Sequence, residues 1–539
     1  MSSKSESGVI LLIVIILMLA LTITGLAFLN AGVLENRLVR TEILKNQAFW
    51  LAEAGLERAL WNLKEDFENG SEDWTDGWIN GMEVESAPLP GDQGHWWRLS
   101  MLTPTLENVG ENSVWLQYVF TEDEPPEPKK DAIYVRSTGT VENRSKTLVV
   151  RATLEKFSPW YGAIFAGTGA GAGTVINGNA LIHGSVLILG DELEPDALAM
   201  DTTGTAGIRN NYEGMRPELV PRVPGSPETV NSLGAKLRVK VGIVGLSGTA
   251  TVGEPDDPDD PFNPDDPFDI KKQMDGVYIG TTPEYDRYGG NKGAENVYSD
   301  NGKENMYNLP DSIRFPSLTT GPDPYLEYLR DHSLQITLPE NKISSETLTF
   351  EPIENYDDVT KLTNSIAWDQ SAGILTVKGI VYVIAESLQL GESKEMIEYK
   401  GTGTLVVGNE YGSSAGDIVI HSHLLAHGTY IDEGEDGFPH HALGLVANRI
   451  ELATPGDAQL MMTGAFYAED EIVSTQQNAI AGTFVSNIFD MGTNVPRIYE
   501  VPELVDNLPP GLPGAEDIYL RVTTDEWDEL EWSVLPEPE

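Results

Sequence analysis

The chain has 539 residues, more than one ordinary hydrophobic core accommodates, so two or more domains are expected. Its 84 acidic and 35 basic residues give a formal charge of −49, which excludes nucleic-acid binding through the bulk of the surface. Cysteine is absent, so disulfide, iron–sulfur and thiol chemistry are excluded as well. The acidity is compatible with an exported protein and equally with adaptation to salt.

The first predicted element is a long apolar segment near the N-terminus. Residues 9–29 form 21 consecutive positions without a charge, and about 20 apolar residues span a bilayer as a helix. A secretory signal peptide has a shorter apolar core and a small-residue cleavage site, whereas here a helical pattern continues. We therefore predict a transmembrane helix over residues 9–29.

An amphipathic stretch follows this segment without interruption. Because proline is absent from residues 1–87, we predict a single helix over residues 9–67, about 90 Å long. Its first half requires lipid or identical apolar helices, and its second half requires a folded body. An ordinary single-pass anchor with an amphipathic neck is the plain alternative. Apolar residues recur mostly three to five positions apart along one helical face: Leu34, Leu38, Leu44, Ala48, Leu51, Leu56, Leu60, Leu63 and Phe67.

Two features of this region carry a family resemblance. The leader MSSKSESG, with the apolar run directly after it, resembles a class III-type prepilin N-terminus. The stretch TITGLAFLNAGVLENRLVRTEILKNQAFWLAEAGLERAL resembles the N-terminal helix of PilX-type minor pilins of type IV pili. The residues that match the family motif are Glu35, Arg37, Ala48, Phe49, Ala52, Glu53, Ala54 and Gly55.

The resemblance implies processing and a set of partners. Prepilin peptidase would cleave after Gly8, leaving Val9 as the N-methylated terminus. The other implied partners are pilin and minor pilin subunits, the inner-membrane assembly platform and the membrane itself, with no nucleic acid. The protein would be a single-pass inner-membrane protein before assembly, and would afterwards face the periplasm or belong to a cell-surface filament.

One position departs from the pattern of major pilins. That family has a glutamate at the fifth mature position, where this chain has Ile13. The family's carboxylate is thought to pair with the terminal amine of a neighbouring subunit, which offsets the cost of burying charge in lipid. In lacking this glutamate, the chain resembles minor pilins and pseudopilins that prime assembly or lie at the filament tip.

Residues 68–156 are predicted to form a small pilin-like α/β domain. Residues 131–155 alternate apolar and polar side chains on both sides of ENRS, which predicts a hairpin. Residues 113–120 are predicted to form a neighbouring strand, and the STGT stretch resembles the closing strands of pilin-like heads.

Residues 157–539 are predicted to form a large all-β body. Short β-branched runs separated by glycine and asparagine recur at loosely regular intervals, which is typical of a solenoid. A right-handed parallel β-helix is the preferred architecture, and it resembles the C-terminal regions of some PilX-like proteins; an irregular β-sandwich is the alternative. Insertions are expected at 191–233 and 254–345, a short helix within 323–336, and a terminal strand that caps the solenoid. The whole chain is thus predicted to be α+β.

Two groups of side chains are candidate metal ligands. Asp259, Asp260, Asp265 and Asp266 offer the oxygen atoms that calcium prefers, and a solvated loop is the alternative. His421 and His423 would share one face of a strand, and an exposed polar strand edge is the alternative. No other cofactor is expected.

No catalytic motif is found in the sequence. The nucleophile elbow, the paired zinc-binding histidine motif and the Walker loop are all missing. We therefore expect a non-enzymatic minor pilin or pseudopilin-like subunit that displays a β-helical head for adhesion, assembly priming or fibre modulation. A membrane-tethered β-helix enzyme acting on polysaccharide and an anchored surface adhesin are the alternatives.

Overall fold

The chain forms two compact units, Met1–Lys156 together with Leu520–Glu539, and Phe157–Tyr519. The computed structural model describes residues 4–68, 86–87, 96–99, 111–120, 128–167, 176–178, 180–202, 204–223, 230–246, 248–258, 261–263, 266, 268–279, 293–302, 306–309, 313–320, 324–344, 347–350, 353–354, 363–428, 441–492, 496–515 and 519–529.

The first unit begins with one uninterrupted helix, α1, over Lys4–Glu68. The predicted long N-terminal helix is confirmed. Its apolar half contains two threonines whose hydroxyl groups donate to the carbonyl four residues earlier, Thr22 to Met18 O and Thr24 to Ala20 O, both at 2.8 Å. These bonds satisfy the hydroxyl groups within the helix, so the segment presents no unpaired hydroxyl to an apolar environment.

A small antiparallel sheet completes the first unit. It consists of β1 (Ser86–Ala87), β2 (Trp96–Leu99), β3 (Glu111–Phe120), β4 (Pro128–Val141), β5 (Arg144–Phe157) and the C-terminal strand (Tyr519–Glu529), in that spatial order.

The predicted hairpin and its neighbouring strand are confirmed. Strands β4 and β5 pair from Ala132 opposite Thr153 to Val141 opposite Arg144. The two-residue turn starts at Glu142, whose φ of 52° lies in the left-handed region that tight hairpin turns require. The C-terminal strand, expected at the end of the solenoid, instead lies next to β5 in this sheet, because a free sheet edge offers unpaired backbone groups to any extended segment.

The second unit begins with a series of short strands. They are β6 (Ile164–Ala166), β7 (Ile176–Gly178), β8 (Leu181–His183), β9 (Val186–Ile188), β10 (Leu198–Thr202), β11 (Gly207–Arg209), β12 (Lys236–Val239), β13 (Ile243–Leu246), β14 (Thr251–Val252) and β15 (Gly276–Ile279). Each of the strands β6 to β12 pairs in parallel with the strand three positions later, which produces the rows β6–β9–β12–β15, β7–β10–β13 and β8–β11–β14.

The second half of this unit contains longer strands and one short helix, α2 (Tyr325–Asp331), which confirms the helix predicted within 323–336. The strands are β16 (Leu334–Ile336), β17 (Lys342–Ile343), β18 (Leu348–Thr349), β19 (Ile353–Glu354), β20 (Thr363–Asp369), β21 (Ile374–Ile384), β22 (Ser387–Leu390), β23 (Met396–Lys400), β24 (Thr402–Gly408), β25 (Asp417–Ile420), β26 (His423–Ala426), β27 (Ala442–Leu452), β28 (Met461–Ser474), β29 (Ala479–Asp490) and β30 (Arg497–Tyr499). Turns of 3-10 helix occupy Val220–Arg222, Gly293–Asn296, Pro339–Asn341 and Pro502–Asn507.

The longer strands form one row that follows the order of the chain and then returns to the start of the unit. Strands β16, β21, β24, β27, β28 and β29 pair successively in parallel. Strand β29 then pairs in parallel with β6, so the last long strand stacks against the first strand of the unit. Between described strands of this unit, antiparallel ladders occur around β20, and one isolated antiparallel bridge joins Gly408 to Ala415. A β-sandwich consists of antiparallel sheets, so the predominantly parallel pairing of this unit argues against the sandwich alternative.

Both segments expected as insertions contribute strands to these rows. Residues 191–233 contain β10 and β11, and residues 254–345 contain β15, β16 and β17. Strands of two to five residues between tight turns leave no periodic apolar signal, so composition alone marks such segments as loops.

Stacked apolar side chains fill the interior of the second unit. Phe466 on β28 lies opposite Phe484 on β29, and their stacked rings have centroids 4.7 Å apart. A second apolar cluster includes Trp160, whose indole Nε1 donates to Pro513 O at 2.8 Å. Side chains of residues that lie opposite each other in neighbouring parallel strands therefore pack on one another. This packing removes apolar surface from water and so stabilises the core.

Candidate functional site

The second half of α1 packs on the antiparallel sheet through small residues of the family motif. Ala48 and Ala52 are fully buried, and Leu56 lies in the same buried stripe. The amide of Asn112 on β3 donates to Leu51 O in the helix at 2.6 Å. The motif therefore includes the positions at which the helix approaches the sheet.

Two glycines make this approach possible, one on each side of the contact. A Cβ on Gly55 would lie 2.6 Å from Ser137 Oγ, and a Cβ on Gly139 would lie 2.6 Å from Ala52 N. Real Cβ atoms do not come so close to backbone nitrogen, so any side chain at Gly139 requires the helix to move away. Alanine at position 52 and glycine at 55 thus have a packing role in this unit.

The remaining motif residues lie elsewhere on the helix surface. Glu35, Arg37 and Ala54 are exposed, and Phe49 is half-buried. Glu53 Oε2 is buried without a hydrogen-bond partner among the described residues.

The apolar half of α1 is exposed on all sides. Leu11 is 62%, Ile13 53% and Phe28 76% exposed. Within the described residues, this is the one helix long and apolar enough to cross a membrane. Gly8 and Val9, the predicted processing site, lie within the same helix.

The two candidate metal-binding histidines are not on one strand. Strand β25 ends at Ile420 and β26 begins at His423, so His421 lies in the turn between them. His421 Nδ1 contacts Asp457 Oδ2 at 2.9 Å, whereas His423 Nδ1 accepts from Met461 N at 2.9 Å. The polypeptide turns at this point, so the two-residue alternation that would align the rings does not apply.

The candidate aspartates fall mainly outside the described residues. This holds for Asp259, Asp260 and Asp265, while Asp266 is exposed and its Oδ1 accepts from Phe268 N at 3.0 Å. Within the described part of the chain, no group of three or more histidine, aspartate or glutamate side chains is placed to hold a metal ion.

A polar cavity in the second unit was not expected from the sequence. It has a volume of about 670 Å³ and lies beside β8, β11 and β30. Its charged lining consists of Arg209, Arg216, Arg497, Glu213 and Glu254. These side chains come from segments distant in sequence, so no motif or spacing could have identified them.

One buried histidine forms part of the cavity wall. His183 Nδ1 lies 2.6 Å from Asn211 O, so this nitrogen carries the proton and donates, and the ring stacks on Tyr499 with centroids 4.5 Å apart. Burial, together with the charges of Arg209 and Arg497, lowers the pKa of His183 to about 3, against the opposing effect of the hydrogen bond to Asn211 O. The ring is therefore neutral near pH 7.

Comparison with known proteins yields a likeness to a solved structure. No protein-family model matches the chain, and no curated protein matches it. Among solved structures, the competence-associated pilin ComZ from Thermus thermophilus is similar over 90% of this chain and 98% of its own, with 19% sequence identity and a TM-score of 0.48.

Proposed function

We propose that the chain is a minor pilin or pseudopilin-like subunit of a type IV pilus or related filament. It primes assembly or lies at the tip, and its β-rich body acts without catalysis in adhesion or fibre modulation. The observation that carries the proposal is α1, a 65-residue helix that is exposed and apolar in its first half and buried along one face in its second.

The two halves of α1 require two different environments. A helix with apolar residues on every side is stable only in lipid or among other apolar helices. The second half is held on the sheet by Ala48, Ala52 and Leu56. The first half can therefore exchange lipid for neighbouring subunits while the second half keeps its contacts.

Ile13 supports a role as a minor pilin rather than as the major subunit of the filament shaft. Its side chain is apolar and 53% exposed, so it introduces no charge into the membrane and offers no carboxylate to a neighbouring amine. A subunit of this kind can join a filament without the ion pair expected between successive major subunits.

Processing and partners follow from the same proposal. Prepilin peptidase removes residues 1–8 and Val9 becomes the methylated terminus. The subunit then passes from the inner membrane through the assembly platform to a filament of other pilins.

The proposal includes the architecture of the body. We take the second unit to be a right-handed parallel β-helix, supported by the parallel pairing of each short strand with the third strand after it. A cryo-electron microscopy map of the body tests this assignment directly, since a left-handed coil or a two-sheet sandwich would contradict it.

N-terminal mass spectrometry of the mature protein tests the function. A terminus at Val9 carrying one methyl group is expected, and Gly8→Leu should retain the leader. Gly25→Leu is the matched control, because a Cβ at Gly25 meets open space within the same apolar helix. A mature protein that begins at Met1, or equal processing of both variants, would contradict the proposal.

Filament recovery separates this function from an anchored enzyme or adhesin. The protein should be found in sheared filaments, and its deletion should reduce their number or length. A protein that stays in the membrane fraction, with filaments unchanged by the deletion, argues for an anchored module instead.

A further inference from the structure

The cavity of the second unit carries positive charge in a strongly acidic chain. Three arginines, Arg209, Arg216 and Arg497, line it together with Glu213 and Glu254, so three positive minus two negative charges leave a net charge of +1. The whole chain has a formal charge of −49. A local excess of arginine on such a background favours an anionic ligand at this place.

Hydrogen bonds orient two of these guanidinium groups without exhausting them. Arg497 Nη1 donates to Gly214 O at 2.7 Å, and Arg209 Nε contacts Glu254 Oε1 at 2.9 Å. Arg209 Nη1 donates to Thr251 Oγ1 at 2.7 Å and to Ile208 O at 3.1 Å, which leaves the Nη2 group of Arg209 for a ligand. A guanidinium group has five N–H donors. Donors therefore remain for a ligand, and their positions are set before it binds, which reduces the entropy lost on binding.

The rest of the lining suits hydroxyl groups. Thr205 and Gln477 contribute a hydroxyl and an amide, and Glu213 contributes a carboxylate that accepts hydrogen bonds. We propose that this cavity binds a monoanionic, hydroxyl-bearing carboxylate, the chemistry of a sugar acid. The arginines take the carboxylate and the neutral and acidic groups take the hydroxyls.

Charge and size both limit the ligand. A single carboxylate matches the net charge of +1, whereas a phosphate dianion would also face Glu213 and Glu254. The volume of about 670 Å³ is within the range of small-molecule sites. His183 adds no charge to the site because its ring is neutral near pH 7.

Titration of the full-length protein in detergent micelles with D-glucuronate tests the proposal. D-glucose, acetate and inorganic phosphate are the comparison ligands, and saturation-transfer NMR with calorimetry measures binding. The variant Arg216→Gln is suited to the test, because Arg216 Nη2 donates to Gln459 Oε1 at 2.7 Å at the surface. Replacing this side chain therefore leaves the apolar core unchanged. The control is Arg40→Gln, which makes the same charge change in an exposed pair with Glu142 of the first unit.

Saturable binding of D-glucuronate at least tenfold tighter than that of D-glucose or acetate is the expected result. Arg216→Gln should weaken it about tenfold, the effect of one hydrogen bond to a charged group, and Arg40→Gln should leave it unchanged. The proposal is overturned by no saturable binding, by tighter binding of phosphate than of glucuronate, or by equal effects of the two variants.

Discussion

Replacing Glu500 by glutamine should remove a pH dependence from the stability of the second unit. Glu500 is 8% exposed, and its Oε2 accepts a hydrogen bond from Ser185 N at 2.5 Å. Burial raises the pKa of this carboxyl group from 4.5 to about 7, against the opposing effect of the hydrogen bonds from Ser185. Glutamine has the shape of the protonated carboxyl group and can still accept the bond from Ser185.

The size of the effect follows from the two pKa values. The difference between 4.5 in the unfolded chain and about 7 in the folded chain corresponds to about 3 kcal/mol. Because the folded state binds the proton more tightly, this stabilisation is complete below about pH 4.5 and is lost as the pH rises through about 7. The wild-type protein should therefore lose about 3 kcal/mol relative to Glu500→Gln between about pH 4.5 and about pH 8.5.

Urea unfolding of the full-length protein measures this difference. Hydrogen exchange with mass spectrometry, followed on peptides that contain Ser185 and Glu500, gives the free energy of unfolding of the second unit at each pH. Glu192→Gln is the matched control, since Glu192 is exposed in the same unit, and its profile should follow that of the wild type. Parallel wild-type and Glu500→Gln profiles across this pH range would show that the Glu500 carboxyl group has the same pKa in the folded and unfolded chain.

Three further substitutions test the packing of the two units. Gly139→Val should destabilise the first unit by about 1–3 kcal/mol, because its side chain would enter the helix backbone; unchanged hydrogen exchange in α1 would argue against the close approach. Leu56→Ala should cost about 2–5 kcal/mol in the same assay, since Leu56 is fully buried. Tyr467→Phe should cost the second unit about 1.5–3 kcal/mol in urea unfolding, because its hydroxyl lies 2.6 Å from Glu469 Oε2. Tyr411→Phe, at a 72% exposed ring, should have no effect, and equal losses in the two tyrosine variants would contradict the role of this hydrogen bond.

The long helix was predictable because its determinants are local. An uncharged run of 21 residues and the absence of proline indicate one helix without reference to any distant residue. The packing role of Gly55 was not predictable in the same way, because it depends on the atoms that approach from β3 and β4, at Asn112 and Ser137.

For the second unit, the presence of many short strands was predictable from the sequence, whereas the order in which they pair was not. Apolar runs separated by glycine indicate many short strands, but the composition of residues 191–233 and 254–345 predicts insertions where the structure has strands. Their burial is supplied by neighbouring rows of the unit, so their own sequence need not be strongly apolar. The stacking of β29 on β6 joins the two ends of the unit and has no local signal.

Local sequence is enough to predict α1 and the β4–β5 hairpin, because periodicity and turn residues act over a few neighbouring positions, and composition alone excludes thiol chemistry. The pairing of the strands, the position of the C-terminal strand and the meeting of the arginines at the cavity depend on the folded chain. Parallel pairing and cavity formation bring together residues separated by hundreds of positions, and the free energy of those contacts depends on burial that exists only once the chain has folded.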